Sequence, residues 1–424
     1  MSLSKEYRIK HLFVKRIGGA WGVEPDENAK ICLRAADIIT DQFRHKLNDL
    51  TYRSFSFQEL ISRKLKQGDI IIEKSGGGEN QPVGRVAKFV IEKEALCSNF
   101  LDLLRPNNEI VIPSFITYIL YSLWKNRTVV KSIKQTTGIQ NLDIEDYFNN
   151  KAKIPSLFEQ NKIVNYLDKE IRKIDSLIEK KKKLIDLLEE KKKAVINQCV
   201  TRDLNSEDFL KNSGINWLGN VSENWRVERL KFLTSKVGSG VTPSGGAEVY
   251  TDEGILFLRS QNIYNDRLHL DDETYIPENI HNNMKSSQVK KGDILLNITG
   301  GSIGRCYYYN LEVEANINQH VCIIRVNDKI FYKYLHFVLI SFVGQFQIDL
   351  LQYGGGREAV SFENIKNFWI PFPSFEQQKD IVDFIEKEFS KFDSIVNKVR
   401  KAKNLLKEKR TAIILEAING ELNL

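Results

Sequence analysis

Two glycine-rich segments are the residues of this 424-residue chain best suited to contact a nucleic acid. Ser75-Gly76-Gly77-Gly78-Glu79-Asn80 lies between two strand-like runs, and Thr299-Gly300-Gly301-Ser302 has a similar place further along. Each is followed by Gly-Arg, at Gly84-Arg85 and Gly304-Arg305. Glycine lets a backbone approach another surface closely. In a DNA groove an arginine can read guanine, and an amide side chain can read adenine. The pattern predicts loops that contact bases.

Other polar residues fit the same chemistry. The run Leu258–Ile263 echoes Leu33–Ile38, three tyrosines follow the second loop, and Gly354–Arg357 is a further basic glycine run. Taken singly, each residue is at least as well explained as a turn glycine, a surface arginine or a strand tyrosine. Their repetition favours a binding role. The candidate DNA contacts are Arg34, Ser75, Gly76, Gly77, Gly78, Asn80, Arg85, Arg259, Gln261, Asn262, Thr299, Gly300, Gly301, Ser302, Arg305, Tyr307, Gly355 and Arg357.

Catalytic patterns are missing from the sequence. No GxGxxG, Walker or HExxH motif is present, and the glycine triplet lacks the Gly-Lys-Ser/Thr of a phosphate-binding loop. His320 and Cys322 are neighbours, which we interpret as a buried, satisfied pair rather than metal ligands. We therefore expect no catalytic residue, no metal site and no cofactor in this chain, and a role in recognition or scaffolding.

The elements that position the loops are encoded by a long repeat. Ile163–Leu204 and Ile381–Leu422 align without a gap at an offset of 218 residues, and sixteen of the 42 aligned positions are identical. A Pro and Glu-Gln signature precedes each copy, at Pro155 with Glu159-Gln160 and at Pro373 with Glu376-Gln377. Neither copy contains proline, and glycine first appears at Gly420, so both predict long helices.

Apolar residues in both copies follow the alternating three- and four-residue spacing of a coiled-coil seam. Lys181 and Lys192 interrupt the first seam, and Lys403 and Arg410 interrupt the second. We predict that the two helices pair with each other, because a long amphipathic helix needs a partner. Charge runs such as Glu179–Lys193 are most simply solvated faces, with DNA contact as the alternative. The helix-pairing residues are Leu167, Ile171, Ile174, Ile178, Leu188, Val195, Ile385, Phe389, Phe392, Val399, Leu406 and Ile413.

Composition limits the class of protein. A chain of this length predicts two to four domains, and the features of residues 1–153 recur in weaker form within 206–369. The net charge of +7, from 62 basic and 55 acidic residues, is compatible with an acidic partner but small for the length. The five cysteines lack a CxxC pair, which suits a reducing compartment. The longest apolar run, Phe115–Trp124, is about half a membrane span, so we expect no membrane association.

Taken together, these motifs resemble the specificity subunit of type I restriction-modification enzymes. The resemblance is carried by the segments 155–164 and 373–382, by Thr201-Arg202-Asp203-Leu204, by Ser213–Gly219 and by Trp225-Arg226-Val227. It implies an α+β fold in which two target recognition domains are joined by two conserved helices that pair as an antiparallel coiled coil about a pseudo-two-fold axis. The implied domains are 1–153 and 206–369, and the implied helical segments are 154–205 and 370–424. Two departures are Tyr7 where the second copy has Trp225, and Asp380 as an extra residue.

The resemblance also implies a function. Such a subunit is not itself catalytic: it reads a bipartite, asymmetric DNA target made of two short half-sites with an unread gap. Its partners are double-stranded DNA, two methyltransferase subunits and, in the full enzyme, restriction subunits, which bring S-adenosylmethionine, ATP and Mg. The implied location is the prokaryotic cytoplasm. A coiled-coil scaffold, a DNA-binding adaptor without sequence specificity and an enzyme with an unrecognised site are the alternatives.

Overall fold

The computed structural model describes residues 4–135, 138–204, 209–352 and 359–422. Gly355 and Arg357, two of the candidate DNA contacts, lie outside these ranges. The chain divides into two compact units, Met1–Lys181 with Lys401–Leu424 and Lys182–Arg400. Each unit therefore holds one globular head together with one half of each long helix.

The first head consists of short strands and three short helices that precede the first long helix. Its strands are β1 (Lys5–Arg8), β2 (Phe13–Gly18), β3 (Lys30–Leu33), β4 (Ile38–Ile39), β5 (Arg44–His45), β6 (Thr51–Arg53), β7 (Ile70–Glu73), β8 (Ser75–Gly76), β9 (Val86–Lys88), β10 (Ala95–Cys97), β11 (Leu101–Pro106), β12 (Ile133–Gln135), β13 (Gln140–Leu142) and β14 (Lys151–Ile154). Its helices are α1 (Phe57–Arg63), α2 (Pro113–Lys125) and α3 (Ile144–Tyr147), and the long helix is α4 (Leu157–Cys199).

A mixed sheet forms the centre of the first head, in the order β2-β11-β7-β9-β5-β4. A second sheet, β10-β3-β6, combines one parallel and one antiparallel pairing. The buried strand Ile70-Ile71-Ile72 has no exposed side chain, which is the pattern of a strand covered on both faces. Helix α2 packs its apolar residues into the core that includes Ile70, Ile72 and Leu104. This helix contains the apolar run Phe115–Trp124, which is therefore part of the core of the head.

The second head repeats this plan, with fewer strands among the residues that the structure describes. Its strands are β15 (Leu210–Asn212), β16 (Asn220–Ser222), β17 (Arg226–Arg229), β18 (Thr234–Ser239), β19 (Ile255–Leu258), β20 (Tyr275–Ile276), β21 (Ile294–Asn297), β22 (Cys306–Tyr308), β23 (Ala315–Ile317), β24 (Val321–Val326) and β25 (Trp369–Phe372). Its helices are α5 (Glu278–Asn283), α6 (Tyr332–Ile340), α7 (Phe342–Gln352) and α8 (Phe362–Lys366), and the second long helix is α9 (Phe375–Asn419).

Strand order shows the internal repeat of the heads more clearly than the residues do. The sheet β18-β24-β21-β22 corresponds to β2-β11-β7-β9, and β20-β19-β23 corresponds to β6-β3-β10. The strand before each head and the strand after it also pair, as β1 with β14 and as β17 with β25. An ion pair recurs at one place in both heads: Arg105 binds the buried Asp69, and Arg325 binds the buried Asp293.

The starts of the two long helices correct the alignment of the Glu-Gln signatures. Ser156 and Ser374 occupy the residue before each helix, and their hydroxyls accept hydrogen bonds from the backbone N–H groups of Glu159 and Gln377. This is a capping box, in which the third helical residue also bonds back to the serine. Glu159 therefore corresponds to Gln377 at the offset of 218, and Asp380 is not an extra residue.

The buried glutamine after each cap supports the corrected frame. The Gln160 side chain accepts from Ile112 N at 2.8 Å and donates to the carbonyl oxygens of Ile110 and Pro155. Gln378 makes the equivalent contacts with Phe331 N and the carbonyl oxygens of Lys329 and Pro373. Both glutamines fix the start of a long helix to the loop that leads into a core helix of the head.

In the first unit, the beginning of α4 packs against the end of α9. Leu167 and Ile171 share a core with Ile414 and Ala417. Further along α4, Asp175 Oδ1 lies 3.0 Å from Arg410 Nε. The contacts advance along α4 while they retreat along α9, so the two helix segments are antiparallel. The Arg410 side chain is buried and also lies 4.7 Å above the Phe43 ring.

In the second unit, the end of α4 packs in the same way against the beginning of α9. Ile196 and Cys199 share a core with Ile381 and Ile385. Lys192 forms an ion pair with Asp393, and these residues stand 218 positions from Arg410 and Asp175 respectively. The two units therefore contain one ion pair in duplicate, as a pseudo-two-fold repeat requires.

All twelve predicted helix-pairing residues are buried or half-buried, which confirms the antiparallel coiled coil. The four basic residues interpreted as breaks lie in the seam as well, since Lys181, Lys192 and Lys403 are half-buried and Arg410 is buried. Two of them meet an aspartate across the helix pair, as described above. A seam cation with a carboxylate partner fixes the register of two helices.

Two of the three predicted domain edges fall inside strands. The predicted edge at 153/154 falls within β14, and the edge at 369/370 falls within β25. The edge at 205/206 lies outside the described residues.

Within the described ranges, no single helix has the length and apolar composition to cross a membrane, and the bent pair α6–α7 meets that test only when taken together.

Candidate nucleic-acid interface

In the second head, one buried asparagine joins two of the predicted loops. Asn297 ends β21 and is 1% exposed. Its Nδ2 donates to Ser260 O at 2.8 Å and to Ser302 Oγ at 3.1 Å. The structure therefore brings the glycine loop 299–302 beside the turn 259–262. Gly300 and Gly301 are exposed and have open space around them.

The turn after β19 contains three candidate residues with different surroundings. Asn262 is buried, and its Oδ1 accepts from Arg259 N while its Nδ2 donates to His269 O, so it supports the turn. Gln261 is exposed and donates to Asp272 Oδ2 at 2.6 Å, and Arg259 Nη2 lies 3.1 Å from the same oxygen. The exposed Asp272 therefore holds both candidate donors together.

Among the candidate arginines that the structure describes, Arg305 has the guanidinium with the fewest contacts. It is exposed and lies 5.0 Å above the Tyr264 ring. Among the described residues it has no ion-pair partner. Such a stacked guanidinium keeps its donor fork available, which is the form that reads a guanine edge or binds a phosphate.

The equivalent arginine of the first head has a different environment. Arg85 forms a two-point ion pair with Glu73, with both nitrogen–oxygen distances at 2.7 Å, and donates to Ala35 O. Glu73 takes the place that Asn297 has in the other head, because each bonds through its backbone to the Gly-Arg pair that follows. Arg85 therefore has a structural partner that the sequence did not reveal.

Arg34 is likewise engaged. Its Nη2 lies 3.1 Å from Oδ1 of the buried Asp37, and this hydrogen-bonded contact raises the pKa of the guanidinium. The same carboxylate also accepts from Arg34 N, which closes the turn after β3. The turn is the structural counterpart of the one that Asn262 closes in the second head, and Arg34 remains partly exposed at its edge.

The first glycine segment, predicted to be a loop, begins with a short strand. Ser75 and Gly76 form β8, which pairs with Gln140 and Asn141 of β13. The Ser75 hydroxyl donates to Asn141 Oδ1 at 2.6 Å. A turn follows, closed by hydrogen bonds between Gly78 and Gln81. Gly77, which precedes this turn, and Asn80, which lies within it, are exposed.

Tyr307 lies on β22 rather than on a loop. Its ring stacks on Tyr308 with the centroids 4.3 Å apart and meets the His336 ring edge to face. Burial raises the pKa of its phenol. The ring therefore serves an aromatic cluster that packs against the head.

Beside the glycine loop of the first head, acidic side chains form ion pairs with the basic ones. Asp102 lies between two basic side chains, with Lys74 Nζ at 2.8 Å and Arg16 Nε at 3.3 Å. Arg16 also bonds Glu145 at 2.6 Å. Neither Arg16 nor Lys74 was among the predicted contacts, because a single surface lysine or arginine carries no pattern in a sequence.

Two further side chains, missed by the sequence prediction, adjoin the second glycine loop. His320 is half-buried rather than fully buried, and its Nδ1 lies 2.6 Å from Thr299 Oγ1. Gln319 is exposed and contacts both His320 and Thr242. Only Cys322 fits the predicted buried pair. The His-x-Cys spacing hid this difference, because alternate residues of a strand are expected on one face only inside the strand, and His320 precedes β24.

Comparison with known proteins supplies the family. The family described as Type I restriction modification DNA specificity domain matches residues 47–187 and 222–404. The EcoBI specificity subunit of Escherichia coli is 28% identical over 63% of this chain, and the match spans 58% of that relative. The MjaVIII specificity subunit of Methanocaldococcus jannaschii is 24% identical over 79% of this chain and 76% of the relative.

Solved structures agree on the fold. One solved structure concerns the structural basis of complex assembly and conformational transition of the type I R-M system. A chain of that structure superposes on this one with a TM-score of 0.72, at 17% identity, over 99% of this chain and 98% of that one. The HsdS subunit from Thermoanaerobacter tengcongensis superposes with a TM-score of 0.53, at 16% identity, over 99% and 97%. With the family matched along most of its length and the two-headed fold in place, the chain belongs to the DNA specificity subunits of type I restriction-modification systems.

Proposed function

We propose that this chain reads a bipartite, asymmetric DNA target and directs methyltransferase and restriction subunits to it. Each head reads one short half-site, and the bases between the half-sites are not read. The observation that carries the proposal is a repeated backbone with different side chains at its loops. Arg85 of one head forms an ion pair with Glu73. The corresponding Arg305 of the other head stacks on Tyr264 and has no ion-pair partner among the described residues. Two copies of one reader with different reading residues specify two different half-sites.

The second head gives the clearest direct test of base reading. Replacing Arg305 with alanine should weaken binding of the second half-site by ~1–3 kcal/mol if the guanidinium reads a guanine. The preference should relax at that half-site alone, as measured by binding to a panel of single-base variants of the target. Arg226→Ala is the matched control, because Arg226 is an exposed arginine beside the Phe372 ring, at the β17–β25 pair. An unchanged base preference in Arg305→Ala would contradict the assignment.

We further propose that two methyltransferase subunits bind, one at each unit. Support comes from exposed apolar residues on the long helices that recur at the offset of 218. Leu177 corresponds to Ile395, and Leu187 corresponds to Leu405. Leu187 and Leu405 are 60% and 64% exposed. Each unit carries one member of each pair, and repeated apolar residues on a solvated face fit two copies of one apolar partner.

Charge placed at these leucines should remove one partner at a time. Leu187→Glu and Leu405→Glu should each weaken one methyltransferase site by at least ~2 kcal/mol, since a carboxylate would be buried in an apolar contact. Native mass spectrometry should then show one bound subunit instead of two, and none in the double variant. Leu184→Glu is the control, because its counterpart at the offset of 218 is Ala402. Two subunits still bound to both single variants would contradict the proposal.

Chemistry and location follow from this division of labour. We propose that S-adenosylmethionine, ATP and Mg are bound by the partner subunits and that the complex works in the prokaryotic cytoplasm, where its DNA lies. Among the described residues no group of three or more His, Cys, Asp or Glu could hold a metal ion.

A gel shift separates this function from a scaffold or a non-specific adaptor. The complex of the chain with its methyltransferase subunit is titrated with DNA at low salt and again at raised salt with competitor DNA. A specific reader retains binding to its target when salt removes the phosphate contribution, whereas non-specific binding falls steeply. Equal loss on every sequence would overturn the proposal.

A further inference from the structure

The turn between two strands occupies one position in both heads and carries different residues. In the first head the turn joins β10 to β11, where Leu101 N donates to Ser98 O at 2.9 Å. In the second head it joins β23 to β24, where Val321 N donates to Asn318 O at 3.2 Å. Both turns have two residues at the tip: Asn99-Phe100 in the first head and Gln319-His320 in the second.

Each tip adjoins the glycine loop of its own head. The carbonyl oxygen of Phe100 accepts from Lys74 N at 3.0 Å, and the carbonyl oxygen of His320 accepts from Ile298 N at 3.0 Å. Lys74 and Ile298 are the residues immediately after β7 and β21. The tips therefore sit at equivalent places beside the loops that were predicted to contact bases.

The base of each turn is held tightly by a glycine. A side chain at Gly19 would collide with the backbone carbonyl of Ser98, and one at Gly240 would collide with the carbonyl of Ile317. The close approach lets Gly19 N bond Leu101 O and Gly240 N bond Val321 O. A tip anchored by such contacts keeps its direction, which lowers the entropy lost when it binds.

The side chains at the two tips differ in chemistry. Phe100 is 45% exposed. Gln319 is exposed, and its carboxamide lies between His320 Nε2 at 3.0 Å and the Thr242 hydroxyl. His320 is itself fixed by the Thr299 hydroxyl of the glycine loop. A phenyl group can contact a thymine methyl or wedge at a base step, and a positioned carboxamide can read adenine.

We propose that these two-residue tips are specificity-determining elements, with Asn99-Phe100 selecting bases in one half-site and Gln319-His320 selecting them in the other. The inference rests on the proposed function and adds residues to it. At the tip the two heads have the same backbone arrangement, but the exposed phenyl group of Phe100 in the first head corresponds to a hydrogen-bonded network in the second.

The test grafts one tip onto the other head of the full-length chain. Gln319→Asn with His320→Phe places the first tip in the second head, and the complex with its methyltransferase subunit is used to map the methylated motif. The base preference should change roughly 10- to 100-fold at one or two adjacent positions of the second half-site. The first half-site should not change and serves as an internal control. Phe232→His is the control substitution, because Phe232 is an exposed phenylalanine two residues before β18, at the end opposite Gly240.

The possible outcomes distinguish a failure of the proposed function from a failure of the role assigned to the tips. If the unaltered complex yields no bipartite motif, the proposed function fails. If it does, and the grafted chain shows the same preference at every position or an equal loss on all sequences, the tips do not select bases. Thermal unfolding verifies that each variant folds. Should the graft unfold, Gln319→Ala carries the test, because this exposed side chain can be removed without a cavity, and discrimination must still fall at one position.

Discussion

A chain that ends at residue 204 should dimerise through its own long helix and should direct methylation to an inverted repeat of the first half-site. Such a fragment retains one head and α4, and it lacks the α9 segment that covers Leu167 and Ile171. A second copy of α4 can replace that segment, because the helix would otherwise expose its seam to water. Two identical heads then replace two different ones, and a self-complementary interface makes the pair symmetric.

The structure shows which residues of α4 would replace those of α9. Ile196 stands at the position of Ile414 and is identical to it, and Cys199 stands at that of Ala417. Lys192 stands at the position of Arg410, the partner of Asp175. In the fragment dimer each Asp175 should therefore face Lys192 of the other copy. Lys192, which the sequence analysis interpreted as a break in the seam, would therefore help to select the antiparallel register.

Charge reversal tests this pairing. Asp175→Lys in the fragment places a lysine opposite each Lys192, and like charges facing each other across an interface disfavour association by several kcal/mol, at least roughly 100-fold in the dissociation constant. Adding Lys192→Asp should restore the dimer with the charges exchanged. Analytical ultracentrifugation gives the oligomeric state. A stable monomer that binds DNA as well as the full chain, or a dimer indifferent to the charge reversal, would refute the two-fold argument.

Replacing Arg85 with alanine should destabilise the first head rather than alter its base preference. Removal of the guanidinium leaves Glu73, whose side chain is 2% exposed, as a buried carboxylate without its cation. Breaking a buried pair in this way typically costs ~3–5 kcal/mol. Chemical denaturation of the full chain should show the loss, and the complex that remains folded should methylate the original motif.

A second substitution distinguishes stability from recognition. Glu73→Gln in the Arg85→Ala background removes the uncompensated charge and should recover most of the lost stability. Lys93→Ala, the loss of one basic side chain at an exposed site, is the control. If Arg85→Ala left stability unchanged and altered the first half-site, the guanidinium would be a base reader after all, and the comparison with Arg305 would fail.

The repeat and the helix pairing could be predicted from the sequence because periodicity records burial directly. Residues such as Leu167, Ile174 and Phe392 alternate at coiled-coil spacing, and all are buried. The ion pairs that Lys192 and Arg410 form within the seam could not be predicted. A charged residue at a buried position is meaningful only together with its partner, and Asp393 and Asp175 are far away in sequence. The one-residue error at Gln378 arose because two glutamines stand side by side and only the cap distinguishes them.

For the loops, the backbone conformation could be predicted from the sequence better than the contacts of the side chains. The glycine runs and Gly-Arg pairs predicted special backbone conformations, because such conformations leave a trace in composition: Gly84 and Gly304 adopt φ values of 100° and 87°. The use of each side chain depended on contacts between distant segments. Glu73 forms an ion pair with Arg85, and Ser75 pairs with a residue of β13. A local sequence pattern encodes neither contact. The tip residues Phe100 and His320 are absent from the predicted contacts, because a single phenylalanine carries no motif and His320 was interpreted only as the neighbour of Cys322.

The most direct measurement is single-molecule methylome sequencing of a host that carries this chain together with its methyltransferase subunit. We expect methylated adenines at a single motif with two short, different half-sites separated by a fixed number of unread bases. Arg305→Ala should relax one half-site of that motif and leave the other intact. A continuous motif, a palindromic motif from the full-length chain, or methylation without sequence preference would contradict the account of two heads that read two different half-sites.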